Sequence, residues 1–289
     1  MEHHHYRRFV EHLRLRNFSR RTIESYSDAV QRYFQFCRDR RIHSDSLESA
    51  RTYLLYLKVD LDRAPSTVNV VYSALKRYFV DGQVAPWTID AIPRSRRPRR
   101  LPVVLSKEQV LQLFEATPGW RDRMIFMVTY AGGLRRNEVR NLRVEDIDSK
   151  RMRIFVHKAK GDKERYVMLS QRLLGYLRKY WLIERPRSFL FPSDKKLGEP
   201  IVGDTISRAF RRSRDRARLP RRASFHSLRH SFACHLLEDR VPLPHIKALL
   251  GHSNINSTMI YLKVADVSSK VISPLDQLGI ANPALAGGL

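Results

Sequence analysis

A segment rich in proline and arginine interrupts this chain and limits how it can fold. Residues 82–102 contain four prolines, whereas the sequence on both sides carries apolar residues at helical spacing. Proline fixes φ and has no N–H, so this segment cannot continue a helix. With 289 residues, 43% of them hydrophobic, the chain is long enough for two cores. We therefore predict a helical domain over 1–82, a basic linker over 83–105 and a second domain over 106–289.

The first domain reads as four helices. Apolar residues recur at helical spacing over 20–39, after Ser19, a residue type that caps helix N-termini. The same spacing follows Pro65, which suits a first helical turn. Weaker patterns cover 6–16 and 46–58. The sequence therefore predicts a small four-helix domain.

The second domain reads as mainly helical with one small sheet. Residues 151–157 and 164–169 are rich in β-forming side chains and flank the basic run 158–163, which indicates a hairpin with a basic tip. Helical patterns cover 107–116, 120–131, 170–184, 203–217, 226–239, 244–250 and a short stretch around Tyr261. The predicted fold class is mainly α with a small β-sheet, in which an N-terminal four-helix domain precedes a mixed α+β domain.

The net charge predicts a polyanionic partner. The chain has 54 Lys and Arg against 29 Asp and Glu, a formal charge of +25, and both predicted domains are basic. This balance favours nucleic acid over an anionic membrane surface. No run approaches the ~20 apolar residues of a membrane span, and no apolar signal segment starts the chain. We expect a cytoplasmic protein.

Two basic surfaces are candidates for DNA contact. One is a helix face formed by Asn69, Ser73, Lys76 and Arg77, which could equally be a solvated surface. The other is the linker, whose arginines could lie across phosphates or form a charged connector; they are Arg94, Arg96, Arg97, Arg99 and Arg100.

The cysteine and histidine patterns do not predict a metal site. Cys37 and Cys234 lie far apart in apolar segments, which indicates buried thiols. His226, His230 and Cys234 step by four along a predicted helix, but no second segment at ligand spacing completes a site, so we expect His230 and Cys234 to be packed. Whether the histidines at 3–5 are native is left open.

Several groups suited to binding and cutting a phosphodiester occur at the ends of predicted elements. Arg135 follows a Gly-Gly helix break, and Glu138, three residues later, can orient its guanidinium. Lys160 sits at the hairpin tip, where an ammonium can protonate a leaving oxygen, although Lys158 and Lys163 are equally placed.

The remaining candidates lie near the end of the chain. His226 and Arg229 share a helix face at i,i+3, which joins a group that can transfer a proton to a bidentate phosphate ligand. His252 follows Gly251, a helix-terminating glycine, and Tyr261 supplies a phenol nine residues later. Each residue alone would more often be a surface, cap or core residue.

Together, the motifs GLRRNE, KAKGDKER, HSLRH, LLGHSN and a late IY resemble the tyrosine recombinase (phage integrase) family over most of the chain, and the compact Xer type most closely. The resemblance implies that Tyr261 is the nucleophile, Lys160 the general acid and His226 a base or phosphate ligand. It also implies that Arg135, Arg229 and His252 bind the phosphate, with Glu138 as an acidic support.

The resemblance further implies a site-specific recombinase that works through a 3′-phosphotyrosyl intermediate without metal or cofactor. Its partners would be double-stranded DNA, further copies of itself up to a tetramer, and accessory DNA-bending or partner recombinase proteins. The alternatives are relaxation of DNA by a type IB topoisomerase and a non-catalytic architectural protein. Apolar residues over 265–281 predict a tail that docks on its own domain or on a neighbouring protomer.

Overall fold

The computed structural model describes residues 2–87, 92–96, 101–157 and 164–265. The chain forms two compact units, Met1–Arg99 and Arg100–Leu289, and each contains its own hydrophobic core. Helices dominate both units, and one three-stranded sheet lies in the second. The predicted fold class is confirmed.

The first unit contains the four predicted helices: α1 (Glu2–Leu15), α2 (Arg20–Asp39), α3 (Leu47–Val59) and α4 (Pro65–Asp81). The Ser19 hydroxyl accepts a hydrogen bond from the Thr22 amide, so α2 begins at its predicted cap. Rings from all four helices fill the core, where Phe34 meets Tyr78 at a centroid distance of 5.2 Å in an edge-to-face arrangement.

The segment 92–96 packs against α4 and changes the interpretation of its polar face. The Asn69 amide donates to the Ser95 carbonyl at 2.9 Å, and Arg94 donates to the Ser73 hydroxyl at 3.0 Å. Asn69 is 4% exposed, so the prediction that it lies on a DNA-facing surface is wrong. Its position in the helical repeat predicted a side chain that faces solvent, but residues 92–96 cover it.

The other predicted DNA contacts have different surroundings. Lys76 is half-buried, and half-buried Arg77 pairs with Asp81 at 3.3 Å. Arg94 and Arg96 are exposed. Arg97, Arg99 and Arg100 lie outside the described residues.

The described part of the second unit is built from α5 (Lys107–Glu115), α6 (Trp120–Gly132), α7 (Arg136–Arg140), α8 (Gln171–Glu184), α9 (Gly203–Arg216), α10 (Phe225–Glu238), α11 (Leu243–Leu250) and α12 (Asn256–Met259), with 3₁₀ turns at Val144–Asp146 and Ile260–Lys263. Helix α10 crosses the centre and is buried along most of its length. The rings of Phe126, Phe210 and Phe225 join α6, α9 and α10. Cys234 is a buried free thiol, as predicted, and so is Cys37 in the first unit.

The sheet consists of β1 (Ile147–Asp148), β2 (Arg153–Val156) and β3 (Arg165–Met168), paired antiparallel in that order. Ile154 lies opposite Val167, and both are buried against the helices. β2 and β3 are the strands of the predicted hairpin, whose tip at 158–163 lies outside the described residues. β1 was not predicted, because two residues carry no readable alternation.

Across the described ranges, we find no helix of the length and apolarity needed to cross a membrane.

Candidate active site

Three arginines surround one buried carboxylate, that of Glu138, in the second unit. Glu138 Oε1 accepts from Arg135 Nη1 at 2.9 Å, and both Glu138 oxygens accept from Arg165 at 2.9 Å. Arg229 Nη1 lies 3.7 Å from Oε2. Burial alone would raise the pKa of Glu138, but Arg165, Arg135 and Arg229 together lower it to about 2. The acid is therefore ionised at neutral pH, as its predicted supporting role requires.

Local backbone geometry aims Arg135 at this cluster. Helix α6 ends at Gly133, which has φ of 61°, and α7 begins one residue after Arg135. The Arg135 amide donates to Glu138 Oε2 at 2.7 Å, so the same carboxylate caps α7 and holds the Arg135 side chain. The Arg135 side chain remains 27% exposed. One part of the guanidinium is thus fixed while another part stays accessible.

Arg229 is held by the C-terminal ends of two helices. Its Nη1 donates to the Gly133 carbonyl at the end of α6, and its Nη2 donates to the Leu250 carbonyl at the end of α11, both at 2.7 Å. These carbonyls carry the partial negative charge of a helix terminus. Burial, together with Arg135, lowers the pKa of Arg229 to about 10, so the guanidinium still carries its charge at pH 7.

Arg165 also belongs to this cluster, although it was not among the residues predicted from the sequence. It lies at the start of β3, is 9% exposed in its side chain, and donates Nε to the Leu249 carbonyl at 2.6 Å. It is the last residue of the KAKGDKER motif, in which three lysines at the hairpin tip are the more evident phosphate-binding candidates. Arg165 ties the strand to Glu138 and to the end of α11, which fixes the base of the hairpin against the site.

His252 joins the cluster from the turn after α11. Gly251 ends the helix in the left-handed conformation, with φ of 64°, as predicted. His252 Nδ1 lies 2.9 Å from the buried Thr258 hydroxyl in a hydrogen bond. Burial first, and then Arg229 and Arg135, lower the pKa of His252 to about 4. The ring is neutral at pH 7, which suits a hydrogen-bond donor to an anion more than a fixed positive charge.

Tyr261 lies in the 3₁₀ turn that packs on α10, and it is only 2% exposed. Its hydroxyl is 3.1 Å from His230 Nδ1. We predicted His230 as a packed residue without a role, and its contact with the phenol oxygen was missed. Its place one helical turn after His226 was the available signal. Burial raises the pKa of Tyr261, whereas Arg229 and Arg135 oppose that rise.

Two predicted site residues remain, His226 and Lys160. His226, at the start of α10, is exposed at the residue level, and partial burial of its ring, with Arg136, Arg229 and Arg135, lowers its pKa. Lys160 lies outside the described residues, as do Lys158 and Lys163. Among the described residues, no three His, Cys, Asp or Glu side chains are grouped so that they could hold a metal ion.

A basic cleft of about 780 Å³ adjoins His226 between α9 and the segment before α10. It contains one carboxylate, Asp204, in its described lining. The arginines that line it are Arg136, Arg208, Arg211, Arg214, Arg221 and Arg222. Such a concentration of guanidinium groups attracts phosphates next to the Glu138 cluster.

Comparisons with known proteins identify the family. Residues 103–267 match the profile described as "Phage integrase family", and residues 6–89 match "Phage integrase, N-terminal SAM-like domain". The putative integrase/recombinase y4qK of Sinorhizobium fredii is 37% identical over 261 residues, which cover 89% of this chain and 83% of that protein.

The tyrosine recombinase XerA of Thermococcus kodakarensis is 33% identical over 264 residues, which cover 89% of each protein. Among solved structures, XerH site-specific recombinase bound to palindromic difH substrate in a post-cleavage complex is similar in fold. Its TM-score is 0.68 at 23% identity, over 84% of this chain and 76% of that one. This chain therefore belongs to the phage integrase family and is a tyrosine-type site-specific DNA recombinase.

Proposed function

We propose that Tyr261 attacks a DNA phosphate held by Arg135, Arg229 and His252, which gives a 3′-phosphotyrosyl bond and a free 5′-hydroxyl. The observation that carries this proposal is the cluster of three arginines around Glu138, one of which, Arg229, lies on α10, the helix on which the Tyr261 turn packs. The 5′-hydroxyl of a second DNA then attacks the phosphotyrosine and exchanges strands. The ester conserves the energy of the broken bond, so rejoining needs no nucleotide cofactor.

The charge balance of the cluster favours a phosphate. Arg135, Arg165 and Arg229 bring three positive charges, and Glu138 offsets one of them. Because Glu138 and the helix carbonyls already fix these guanidinium groups, little reorganisation is needed when charge develops on the phosphorus oxygens. Removing one fixed donor of this kind reduces an enzymatic rate by roughly 10²- to 10³-fold.

Proton transfer requires two further groups. We assign Lys160 as the general acid that protonates the 5′ oxygen as it leaves, because a flexible ammonium on a hairpin can follow that atom. We assign His226 to the phosphate as a ligand or base from the start of α10, beside the basic cleft. Its partial exposure suits a group that contacts bound DNA.

Recombination of two duplexes needs four strand cleavages, and a tetramer supplies four copies of Tyr261. We propose that the cleft arginines and the linker arginines Arg94 and Arg96 bind the DNA backbone. XerH, which shares this fold, was solved on its DNA substrate. Integration, excision, resolution and transposition all use this chemistry, with accessory DNA-bending or partner recombinase proteins setting the outcome. We infer that the enzyme acts in the cytoplasm.

A nicked target duplex tests the proposal, because loss of the short cleaved strand prevents rejoining and traps the adduct. Wild type should form a covalent protein–DNA species that survives denaturing electrophoresis, and Tyr261→Phe should form none. Tyr176→Phe, at a half-buried position on α8, is the matched control and should behave as wild type. An adduct with Tyr261→Phe would refute the assignment. Joining of two separate target duplexes, rather than relaxation of one plasmid, distinguishes recombination from topoisomerase activity.

A further inference from the structure

The hydroxyl of Tyr261 has a neighbour that the roles above leave unused. His230 Nδ1 lies 3.1 Å from the Tyr261 oxygen, within hydrogen-bond distance, and the two ring centroids are 5.8 Å apart. His230 lies in the middle of α10, one turn beyond His226, and its ring is partly buried. The contact joins α10 to the 3₁₀ turn Ile260–Lys263, which packs directly on it, and the Tyr261 ring belongs to the buried core there.

We propose that His230, rather than His226, accepts the proton of the Tyr261 hydroxyl as that oxygen attacks the scissile phosphate. This inference rests on the proposed role of Tyr261 as nucleophile. It assigns a base to a residue of the HSLRH motif to which the family resemblance gave no role, and it does so on direct contact with the reacting atom.

The groups facing the His230 ring keep it in the form that can accept a proton. Those groups are His226 and Arg229 on its own helix, His252 from the turn after α11, and Tyr261. Burial, followed by His226 and Arg229, lowers the pKa of His230 to about 4. The imidazole is therefore neutral at pH 7. With its proton on Nε2, the Nδ1 lone pair accepts the hydrogen bond that the phenol donates.

The same environment keeps the nucleophile inactive before DNA binds. Burial raises the pKa of Tyr261, and the low pKa of His230 opposes proton transfer, so the resting pair is a neutral phenol bonded to a neutral imidazole. A phosphate bound by Arg135 and Arg229 brings a negative charge beside the pair. That charge stabilises the imidazolium and offsets the arginines, so transfer becomes favourable only with DNA in place.

The reaction balances with these groups. The bond from the Tyr261 oxygen to phosphorus forms, the bond from phosphorus to the 5′ oxygen breaks, the phenol proton moves to His230 Nδ1, and the general acid protonates the 5′ oxygen. On rejoining, an incoming 5′-hydroxyl attacks phosphorus and gives its proton to the former acid. Tyr261 then leaves and recovers its proton from His230. No other reactant is required.

His230→Asn tests the proposal, because the Asn carbonyl can accept the phenol hydrogen bond from about the place of Nδ1 but cannot take the proton. Single-turnover cleavage of the nicked duplex should slow by roughly 10²-fold or more at pH 7. The defect should persist on DNA whose bridging 5′ oxygen is replaced by sulfur, since a better leaving group does not help to deprotonate the tyrosine. Raising the pH should narrow the gap to wild type, because hydroxide then ionises Tyr261 without the imidazole.

His245→Asn, at an exposed position on α11, is the matched control and should cleave at the wild-type rate. Thermal melting and DNA-binding titrations establish that each variant is folded and bound. Cleavage of ordinary DNA by His230→Asn within about threefold of wild type would overturn the inference, and so would recovery on the sulfur substrate. Tyr261→Phe keeps the two ideas separable: an adduct from that variant refutes the nucleophile, whereas no adduct with normal His230→Asn cleavage refutes only the base.

Discussion

Replacing Glu138 with glutamine should destabilise the second unit before any chemistry is considered. The Glu138 side chain is fully buried. It accepts hydrogen bonds from the Arg135 side chain, from the Arg135 backbone amide and from both Nη groups of Arg165. A glutamine of the same shape brings an NH₂ group that faces a guanidinium donor. It also leaves three clustered arginines without their carboxylate.

Two independent arguments give a similar loss of folding free energy for Glu138→Gln. The pKa of Glu138 is about 2 in the folded protein against an ordinary value of 4.5. At about 1.4 kcal/mol per pH unit, this difference corresponds to roughly 3 kcal/mol of stability. Breaking a buried ion pair by removing one partner costs about 3–5 kcal/mol in other proteins. For a unit of this size, a loss of about 3 kcal/mol lowers the Tm by roughly 6–12 °C.

The pH dependence supplies a second signature. Because the folded-state pKa is depressed, this stabilisation is fully present above about pH 4.5 and is lost as the pH falls towards 2. Glu138→Gln should lose that component of the acid sensitivity. Glu145→Gln, whose side chain is 71% exposed in a pair with Arg143, should change stability by less than about 0.5 kcal/mol. Thermal melts that place Glu138→Gln at the wild-type Tm at pH 7 would refute the reasoning.

Three further outcomes follow. Gly133→Ala should lower the Tm by several degrees, because φ is 61° and the added methyl meets the Phe232 ring; an unchanged melt would contradict this geometry. Ser231→Ala should destabilise by about 1–3 kcal/mol in denaturant titrations, since its hydroxyl accepts from the buried Leu105 amide at 2.8 Å. Lys160→Ala should cleave ordinary DNA slowly but recover on the 5′-sulfur substrate, and similar behaviour of Lys158→Ala or Lys163→Ala instead would reassign the acid.

Helical periodicity predicted the helices where apolar spacing and caps coincided. Helix α2 begins and ends at its predicted residues because Ser19 caps it and a continuous apolar stripe faces the core. Helix α7 was not predicted, because its five residues make little more than one turn and show no helical periodicity. Its stability comes from the Glu138 cap and from tertiary packing. Strand β1 was not predicted either, because its two residues carry no readable alternation.

Site prediction depended on whether each partner was local. Arg135 and Glu138 lie three residues apart, so their pairing could be inferred from helix geometry. Arg165 is 27 residues from Glu138, and His230 is 31 residues from Tyr261, so only the folded core brings them together. For Asn69, helical spacing predicted an exposed side chain. A segment 26 residues away in the sequence covers it, which local spacing could not indicate.

The order of these residues along the chain has a consequence for how the enzyme is made. The three arginines, Glu138 and both helix ends that support them precede Tyr261 in the sequence. A ribosome therefore adds the residues of the Glu138 cluster before it adds the proposed nucleophile. A chain that ended before residue 261 would lack both that phenol and a side chain of the core that packs on α10.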